Sequence, residues 1–195
     1  MAGPSPFKSE LVKVAKDEHE RLGSLKRGDA ALRERIELYC RDVNVAMTDA
    51  VDKFHYSAVF ISWCLRKAGA SEEEFPATSR HWEYARRATQ DPIGTEGILR
   101  GRTIESYAPQ VGDLVHMNRD GGIVGYERAR SGPYPYLAES GIVIHVGESE
   151  REALIVMGNQ EPRGNVGTEQ LVLSDSGLLV QRTKAPFICV LEVLK

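Results

Sequence analysis

The sequence predicts an α+β fold in which N-terminal helices pack on a small antiparallel sheet. Apolar residues recur at helical spacing up to about residue 90, and short β-type runs divided by Gly, Pro, Ser and Asp follow from about residue 110. Because no long helical crossover separates these runs, antiparallel pairing is expected. The 195 residues, 42% of them apolar, suit one domain with a buried core. We therefore expect a single domain over residues 1–195, with a helical part at 1–45, central helices at 46–90 and the sheet at 110–195.

Four helices are predicted in the first half of the chain. They span about residues 6–22, 30–43, 57–68 and 79–89. The first two are amphipathic, whereas the third, SAVFISWCLRKA, is apolar nearly all round and is expected to be buried before it stops at Gly69. Thr78 or Ser79 is the expected cap of the fourth helix, which should end before Asp91-Pro92.

The second half contains five predicted strands and one long connection. The strands are Asp113–Met117, Gly141–Gly147, Ala153–Met157, Glu169–Leu173 and Phe187–Leu194. The connection over residues 118–139 is rich in Gly and Pro. Because connections of this length often border a functional site, we expect it to form a lip over one.

Composition and charge exclude several classes of function. Lys and Arg total 25 against 28 for Asp and Glu, so no nucleic-acid partner is indicated. No window approaches the roughly 20 apolar residues of a spanning helix, and the start of the chain turns charged before an export signal can develop. We expect a protein made in the cytoplasm without membrane insertion. Cys40, Cys64 and Cys189 lie apart in apolar segments, which favours buried thiols over a zinc site or disulfides, and no metal or cofactor is predicted.

The segment HYSAVFISWCLRKAG, residues 55–69, resembles the papain-like cell-wall amidase superfamily, the NlpC-type and CHAP hydrolases, and within it an uncharacterised bacterial branch. In that superfamily a Cys usually begins this helix, where the helix N-terminus helps to stabilise a thiolate. Ser57 occupies that position here, and Tyr56 stands where Trp is usual. The branch often carries Ser too, so Ser57 is either the chain's own residue or a substituted Cys.

The resemblance continues over about residues 10–180. The stretch FPATSRHWEY, with His81 and Tyr84, is similar to the branch's F-x-x-S-x-x-H-x-x-Y pattern, and VGDLV at 111–115 is similar to a P-G-D-L-V strand. Asn159, in Gly-Asn-Gln after a predicted strand, matches a motif whose Asn orients the catalytic His of a Cys-His-Asn triad. The resemblance implies a papain-like NlpC-type fold and a function connected with peptidoglycan.

The sequence departs from the superfamily at the catalytic His, because Glu139 stands at that position. A Ser nucleophile needs a base, since a free hydroxyl is a weak nucleophile at neutral pH. His116 is one candidate, because an antiparallel hairpin would bring it near residue 139. The resemblance suggests that His81 faces the groove, while His145 would lie about 20 Å from residue 139 along its strand and His55 would lie on the loop before the third helix.

Each candidate also has a plainer interpretation. Ser57 could cap its helix, Glu139 could be a solvated strand end, and Asn159 could be a turn residue. His81 and His116 could be ordinary half-buried residues. An aromatic group could bind a sugar or peptide, although its three loop members could instead anchor their own loop. This group consists of Tyr56, Tyr126, Tyr134 and Tyr136.

Two main hypotheses follow. The favoured one is a non-catalytic binding or structural module that keeps the groove but has lost the Cys-His pair, and whose partner is peptidoglycan, a peptide ligand or a protein in an assembly. It predicts no base within reach of Ser57. The alternative is a serine-dependent peptidoglycan amidase or peptidase, which predicts a nitrogen of His81 or His116 about 3 Å from Ser57. Delivery to the cell wall would then need a secretion system, a phage particle or lysis. A small-molecule hydrolase is a third, weaker hypothesis.

Overall fold

The computed structural model describes residues 3–51, 53–91, 97–119, 121–147, 149 and 151–195. Its helices are α1 (Pro6–Leu22), α2 (Ala30–Asp42), α3 (Ser57–Lys67), α4 (His81–Gln90) and α5 (Tyr126–Ser131). Its strands are β1 (Leu99–Arg102), β2 (Leu114–Asn118), β3 (Ala138–Gly147), β4 (Glu152–Gln160), β5 (Asn165–Val172) and β6 (Phe187–Val193). The predicted α+β fold is confirmed.

The strands form one sheet in the order β1-β6-β2-β3-β4-β5, and every neighbouring pair is antiparallel. The expected antiparallel pairing is therefore confirmed. The last strand of the chain, β6, inserts between β1 and β2, so the C-terminal segment lies inside the sheet rather than at its edge.

The helices cover one face of the sheet. Helix α3 packs on β3 and β4, and α4 packs on β1 and β3. All residues of α3 from Ser57 to Leu65 are buried, as its continuously apolar sequence predicts. The helix ends where Gly69 takes the left-handed conformation, with φ of 106°, and the Ala70 N–H donates to the Leu65 carbonyl oxygen at 3.0 Å.

A second apolar cluster covers the opposite face of the sheet. Strand β2 contributes Val115 and Met117 to it, and the surrounding segments contribute Ile104 and Leu179. On the helix-covered face, Leu114 of the same strand joins the main core. Because both faces are covered, β2 is buried at every position rather than alternating between buried and exposed residues.

The local structure differs from the predictions in two places. The connection over residues 118–139 is not a simple loop, because α5 lies within it and packs against α4. This six-residue helix lies between Gly125 and Gly132 and is too short to show a helical period. Strand β1 was not predicted either, because its four residues, LRGR, carry a single large apolar side chain.

The start of α4 also differs from the prediction, because Arg80 is its N-cap residue. The Thr78 hydroxyl instead accepts from the Arg80 N–H at 3.0 Å and closes the turn before the helix. Pro92, the expected helix breaker, lies outside the described residues. The three cysteines are free and buried, as predicted. Among the described residues, none of the helices combines the length and apolar character that crossing a bilayer requires.

Candidate functional site

Ser57 begins α3 and makes its side-chain contact with another helix. Tyr56 is the N-cap residue of α3, and no side-chain cap bond forms there. The Ser57 Oγ instead lies 2.8 Å from Nε2 of His81, the first residue of α4. The helix-cap interpretation of Ser57 therefore does not describe this structure, and two helix starts meet through a Ser–His hydrogen bond.

The other ring nitrogen of His81 contacts a tyrosine on its own helix. His81 Nδ1 is hydrogen-bonded to the hydroxyl of Tyr84, which lies three residues along α4 on the same face. Ser57, His81 and Tyr84 thus stand in line, with the imidazole between two hydroxyl groups. Hydrolases with an activated nucleophile share this arrangement, which consists of a nucleophile, a base and a third group that orients the base.

The spacing between the two helix starts is held by Ser62 in the middle of α3. Its Oγ accepts from the Thr78 N–H at 3.2 Å and lies 3.1 Å from the Thr78 carbonyl oxygen. Both residues are buried, at 0% and 7% exposure. Since Thr78 lies just before α4, these contacts fix the approach of His81 to Ser57.

The Ser57–His81 pair lies inside the protein, at 5% and 6% exposure. Burial lowers the pKa of His81 well below its ordinary value, and the nearby positive charge of Arg119 acts in the same direction. The imidazole is therefore neutral at neutral pH. In the tautomer that leaves Nε2 unprotonated, it can accept the proton of Ser57.

His116 lies on β2, and both of its ring nitrogens are hydrogen-bonded to residues other than Ser57. Its Nδ1 is 2.9 Å from the Ser140 Oγ, and its Nε2 is 3.1 Å from the Tyr136 hydroxyl oxygen. The residue is completely buried, and burial lowers its pKa to about 3. Of the two candidate bases, His81 is the one that the structure brings to Ser57.

The register of β2 and β3 shows that Glu139 does not lie on the face of the sheet on which α3 and α4, with Ser57 and His81, pack. His116 pairs with Ser140, and Met117 pairs with Glu139. Since residues that pair directly lie on the same face of a sheet, Glu139 shares the face of Met117, which packs in the cluster away from the helices. Glu139, which matches the motif position of a catalytic His, therefore lies on the face of the sheet away from Ser57 and His81. Ser140, one residue later, faces the helices instead.

Asn159 contacts His55, whereas Ser57 contacts a different histidine, His81. Its Nδ2 is 3.2 Å from Nδ1 of His55, and its Oδ1 accepts from Arg27 at 2.6 Å. Nδ1 of the exposed His55 is also 3.3 Å from a guanidinium nitrogen of Arg119. Asn159 adopts a left-handed conformation, with φ of 59°, which Asn tolerates better than most residues. These residues form a polar group beside the start of α3.

The four aromatic candidates anchor chain segments. Tyr56 is 1% exposed and donates to a backbone carbonyl between β4 and β5, and Tyr136 is 8% exposed against His116. Tyr126 donates to a backbone carbonyl of β1, and the Tyr134 ring stacks on Trp82. The contacts of the three loop tyrosines are those of a loop that anchors itself. Ligand stacking stays a prediction for Tyr126 and Tyr134, which are partly exposed.

Sequence reasoning did not assign roles to Tyr84, Ser140 or Arg119. Tyr84 could have been found from its spacing, since a residue three positions after His81 shares its helix face. Ser140 could have been found only from the strand register, and Arg119 only from the folded arrangement, because neither lies in a recognisable motif.

Other possible ligand sites lie elsewhere or are not formed. A cavity of about 790 Å³ lies at the opposite end of β3 from Ser140, between the two ends of the chain, with Lys8 and Val146 in its wall. Among the described residues, no group of three or more His, Cys, Asp or Glu side chains is placed to hold a metal ion.

The chain was compared with known proteins in three ways. Residues 34–190 match a family described as "Uncharacterized protein conserved in bacteria (DUF2272)". Neither the comparison with curated proteins nor the comparison with solved structures produced a match.

Proposed function

The chain belongs to the DUF2272 family of bacterial proteins, and from the geometry of its site we propose that it is a hydrolase in which Ser57 is the nucleophile and His81 the general base. The observation that carries this proposal is the 2.8 Å contact between Ser57 Oγ and His81 Nε2. This is the contact that an active serine enzyme requires, whereas a module without catalysis would need no base there.

The proposed reaction is acyl transfer from an amide or ester. Ser57 Oγ bonds to the carbonyl carbon while its proton passes to His81 Nε2. His81 then returns the proton to the departing amine or alcohol as the carbonyl carbon's bond to it breaks. Water next attacks the acyl group, gives a proton to His81 and releases the acid, and the proton finally restores the Ser57 hydroxyl.

The start of α3 supports the developing oxyanion. The first N–H groups of a helix have no partner within the helix, and those of Ser57 and Ala58 lie next to the Oγ. The positive end of the helix dipole favours negative charge at the same point. A tetrahedral intermediate formed on Ser57 would gain both contributions.

The proposed substrate class is the peptide part of peptidoglycan. Support for it comes from the resemblance of HYSAVFISWCLRKAG and its neighbouring motifs to the NlpC-type and CHAP hydrolases. Arg27, Arg119 and His55 beside the start of α3 fit a substrate that carries carboxylates, as the stem peptides of peptidoglycan do.

The test is mass spectrometry of peptidoglycan and of a synthetic stem peptide after incubation with the protein. We expect new fragments from the parent protein, none from Ser57→Ala, and at least a hundredfold slower release from His81→Gln. His145→Gln is the matched control, because His145 is exposed on β3, and it should behave like the parent. Fragments that persist in Ser57→Ala would refute the assignment of the nucleophile.

A non-catalytic binding module is the second candidate, because Ser57 and His81 are almost fully buried. A substrate could reach the Ser57 Oγ only if the neighbouring side chains moved. If this candidate is correct, the folded parent protein releases no fragments, and isothermal titration calorimetry still detects binding of the stem peptide. Binding weakened by Arg119→Ala but not by Ser57→Ala would then place the ligand over the polar group beside α3.

A further inference from the structure

The polar group beside the start of α3 contains hydrogen bonds whose directions are fixed by two arginines. Arg27 donates to Asn159 Oδ1 at 2.6 Å, and Asn159 Nδ2 lies 3.2 Å from His55 Nδ1. A guanidinium nitrogen of Arg119 lies 3.3 Å from the same Nδ1. Asn159 is 5% exposed, whereas His55 is exposed. The buried amide therefore joins a guanidinium on one side to an exposed imidazole on the other.

The direction of each bond follows from the chemistry of arginine. A guanidinium has five N–H donors and no acceptor, so the amide atom that faces Arg27 is the oxygen of Asn159. The amide NH₂ group then faces His55 and donates to its Nδ1. Arg119 can likewise only donate to that nitrogen. Nδ1 of His55 is therefore an acceptor and carries no proton.

His55 is consequently neutral, with its proton on Nε2. A neutral imidazole has one nitrogen that accepts and one that donates, and Nδ1 is the one that accepts here. A second proton, on Nδ1, would face two N–H groups instead of an acceptor, which is unfavourable. Nε2–H of His55 is thus a fixed hydrogen-bond donor, and in the proposed reaction His55 does not replace His81 as the base.

This donor lies close to the nucleophile and beside a positive charge. His55 precedes Ser57 by two residues, and two residues of chain span at most about 7 Å between Cα atoms. Arg119, which is partly exposed, adds a positive charge at His55. The charge of Arg27 is balanced by Glu161, whose Oε1 lies 3.3 Å from it. A carboxylate suits such a position, because it accepts strong hydrogen bonds from an imidazole N–H and from a guanidinium.

We propose that His55 Nε2–H and the guanidinium of Arg119 bind a carboxylate of the substrate, and that Asn159 is a positioning residue that keeps the proton of His55 on Nε2. The two contacts at His55 Nδ1 carry this inference. Its meaning for catalysis rests on the proposed function, since it makes a free carboxylate near the scissile bond a requirement of the substrate. The tautomer and the binding of a carboxylate can both be measured without turnover.

The protonation of His55 tests the positioning role of Asn159. Asn159→Asp replaces the donating NH₂ group by an oxygen that only accepts, while the other oxygen can still accept from Arg27. The measurement is the set of two-bond ¹⁵N–¹H correlations of ¹⁵N-histidine-labelled protein at pH 8. We expect Nδ1 of His55 to be unprotonated in the parent protein and protonated in Asn159→Asp.

Asn44→Asp is the matched control for this variant. Asn44 is exposed and also adopts a left-handed conformation, with φ of 53°, so the substitution makes the same change of charge and backbone context at another place. We expect it to leave Nδ1 of His55 unprotonated. The positioning role is overturned if Nδ1 is protonated in the parent protein, or if it stays unprotonated in folded Asn159→Asp.

Binding of a synthetic stem peptide tests the carboxylate site. The assay is isothermal titration calorimetry in a Ser57→Ala background, which prevents cleavage, with the free acid and with the same peptide after conversion of every carboxylate to an amide. We expect the free acid to bind at least about tenfold more tightly. Adding Arg119→Met or His55→Leu should reduce this preference to about threefold or less. His55→Gln, which retains an N–H donor, should keep it, and so should His145→Leu, a control at an exposed position of β3.

The outcomes separate this inference from the proposed function. Equal affinity for the two peptides, or no binding of the free acid, overturns the carboxylate site. Equal rates of cleavage of the two peptides by the parent protein also overturn it, while the assignment of Ser57 as the nucleophile stands. A parent protein that binds the free acid more tightly but releases no fragments supports the carboxylate site and counts against the hydrolase.

Discussion

Lowering the pH from 7 to 5 should greatly reduce the free energy of unfolding, because two histidines are buried as neutral groups. His81 and His116 are 6% and 0% exposed. Burial holds the pKa of His81 well below 6.5 and lowers that of His116 to about 3. In the unfolded chain both imidazoles titrate near 6.5. Below that pH the unfolded chain takes up protons that the folded protein does not, so stability is lost as the pH falls.

The size of the effect follows from the difference between the two states. Each neutral buried imidazole costs about 1.4 kcal/mol per pH unit below 6.5, and about 2 kcal/mol between pH 7 and pH 5. The pair should therefore cost about 4 kcal/mol over this interval. Above pH 6.5 the contribution is constant. For His116 the loss continues until the pH approaches its folded-state pKa of about 3.

Urea unfolding followed by circular dichroism at pH 7, 6 and 5 measures this loss. His116→Gln should lose only about 2 kcal/mol between pH 7 and pH 5, because it retains His81 alone as a buried imidazole. His145→Gln, an exposed control, should retain the full loss. A parent protein that loses less than about 1 kcal/mol, or a His116→Gln variant with the same slope as the control, would refute the reasoning.

A direct titration covers the case in which His116→Gln does not fold. In the parent protein, the ring signals of both buried histidines should stay unchanged in NMR spectra between pH 8 and pH 5. Ring signals that shift with a midpoint near pH 6.5 would show that the imidazoles are accessible to protons, and would contradict the burial argument.

Two further predictions concern packing and charge in the core. Gly141→Ala should lower the free energy of unfolding, measured with urea, by about 1–3 kcal/mol, because an added Cβ would lie 2.6 Å from a side-chain atom on the neighbouring strand. Gly125→Ala is the control and should be nearly neutral, because an added Cβ there meets open space. Glu18→Gln should cost about 2–3 kcal/mol, because 2%-exposed Glu18 accepts two hydrogen bonds from partly exposed Arg35. Adding Arg35→Met should recover at least half of that loss, and a further loss would contradict the charge argument.

Long elements of this fold could be predicted from the sequence, and short ones could not. The helix over Pro6–Leu22 was predicted with the correct ends, because apolar residues recur at helical spacing along its 17 residues. The strand Leu99–Arg102 and the helix Tyr126–Ser131 contain too few residues to establish any period. Their structure comes from contacts with β6 and α4, which are not visible locally in the sequence.

The residues of the candidate site could be predicted from the sequence, but the contacts between them could not. Ser57 and His81 were both named from motifs, yet their distance depends on the Ser62–Thr78 contacts between two helices. Glu139 was placed by matching a motif along the chain. A displacement of one residue in a strand moves a side chain to the other face of the sheet, and the register shows that Ser140 is the residue that faces the helices.

The Ser57–His81 contact joins residues only 24 positions apart, both at helix starts. A contact between residues this close in sequence closes a short loop of the chain. The loss of chain entropy on forming it is therefore smaller than for a contact between α3 and the distant strands of the sheet.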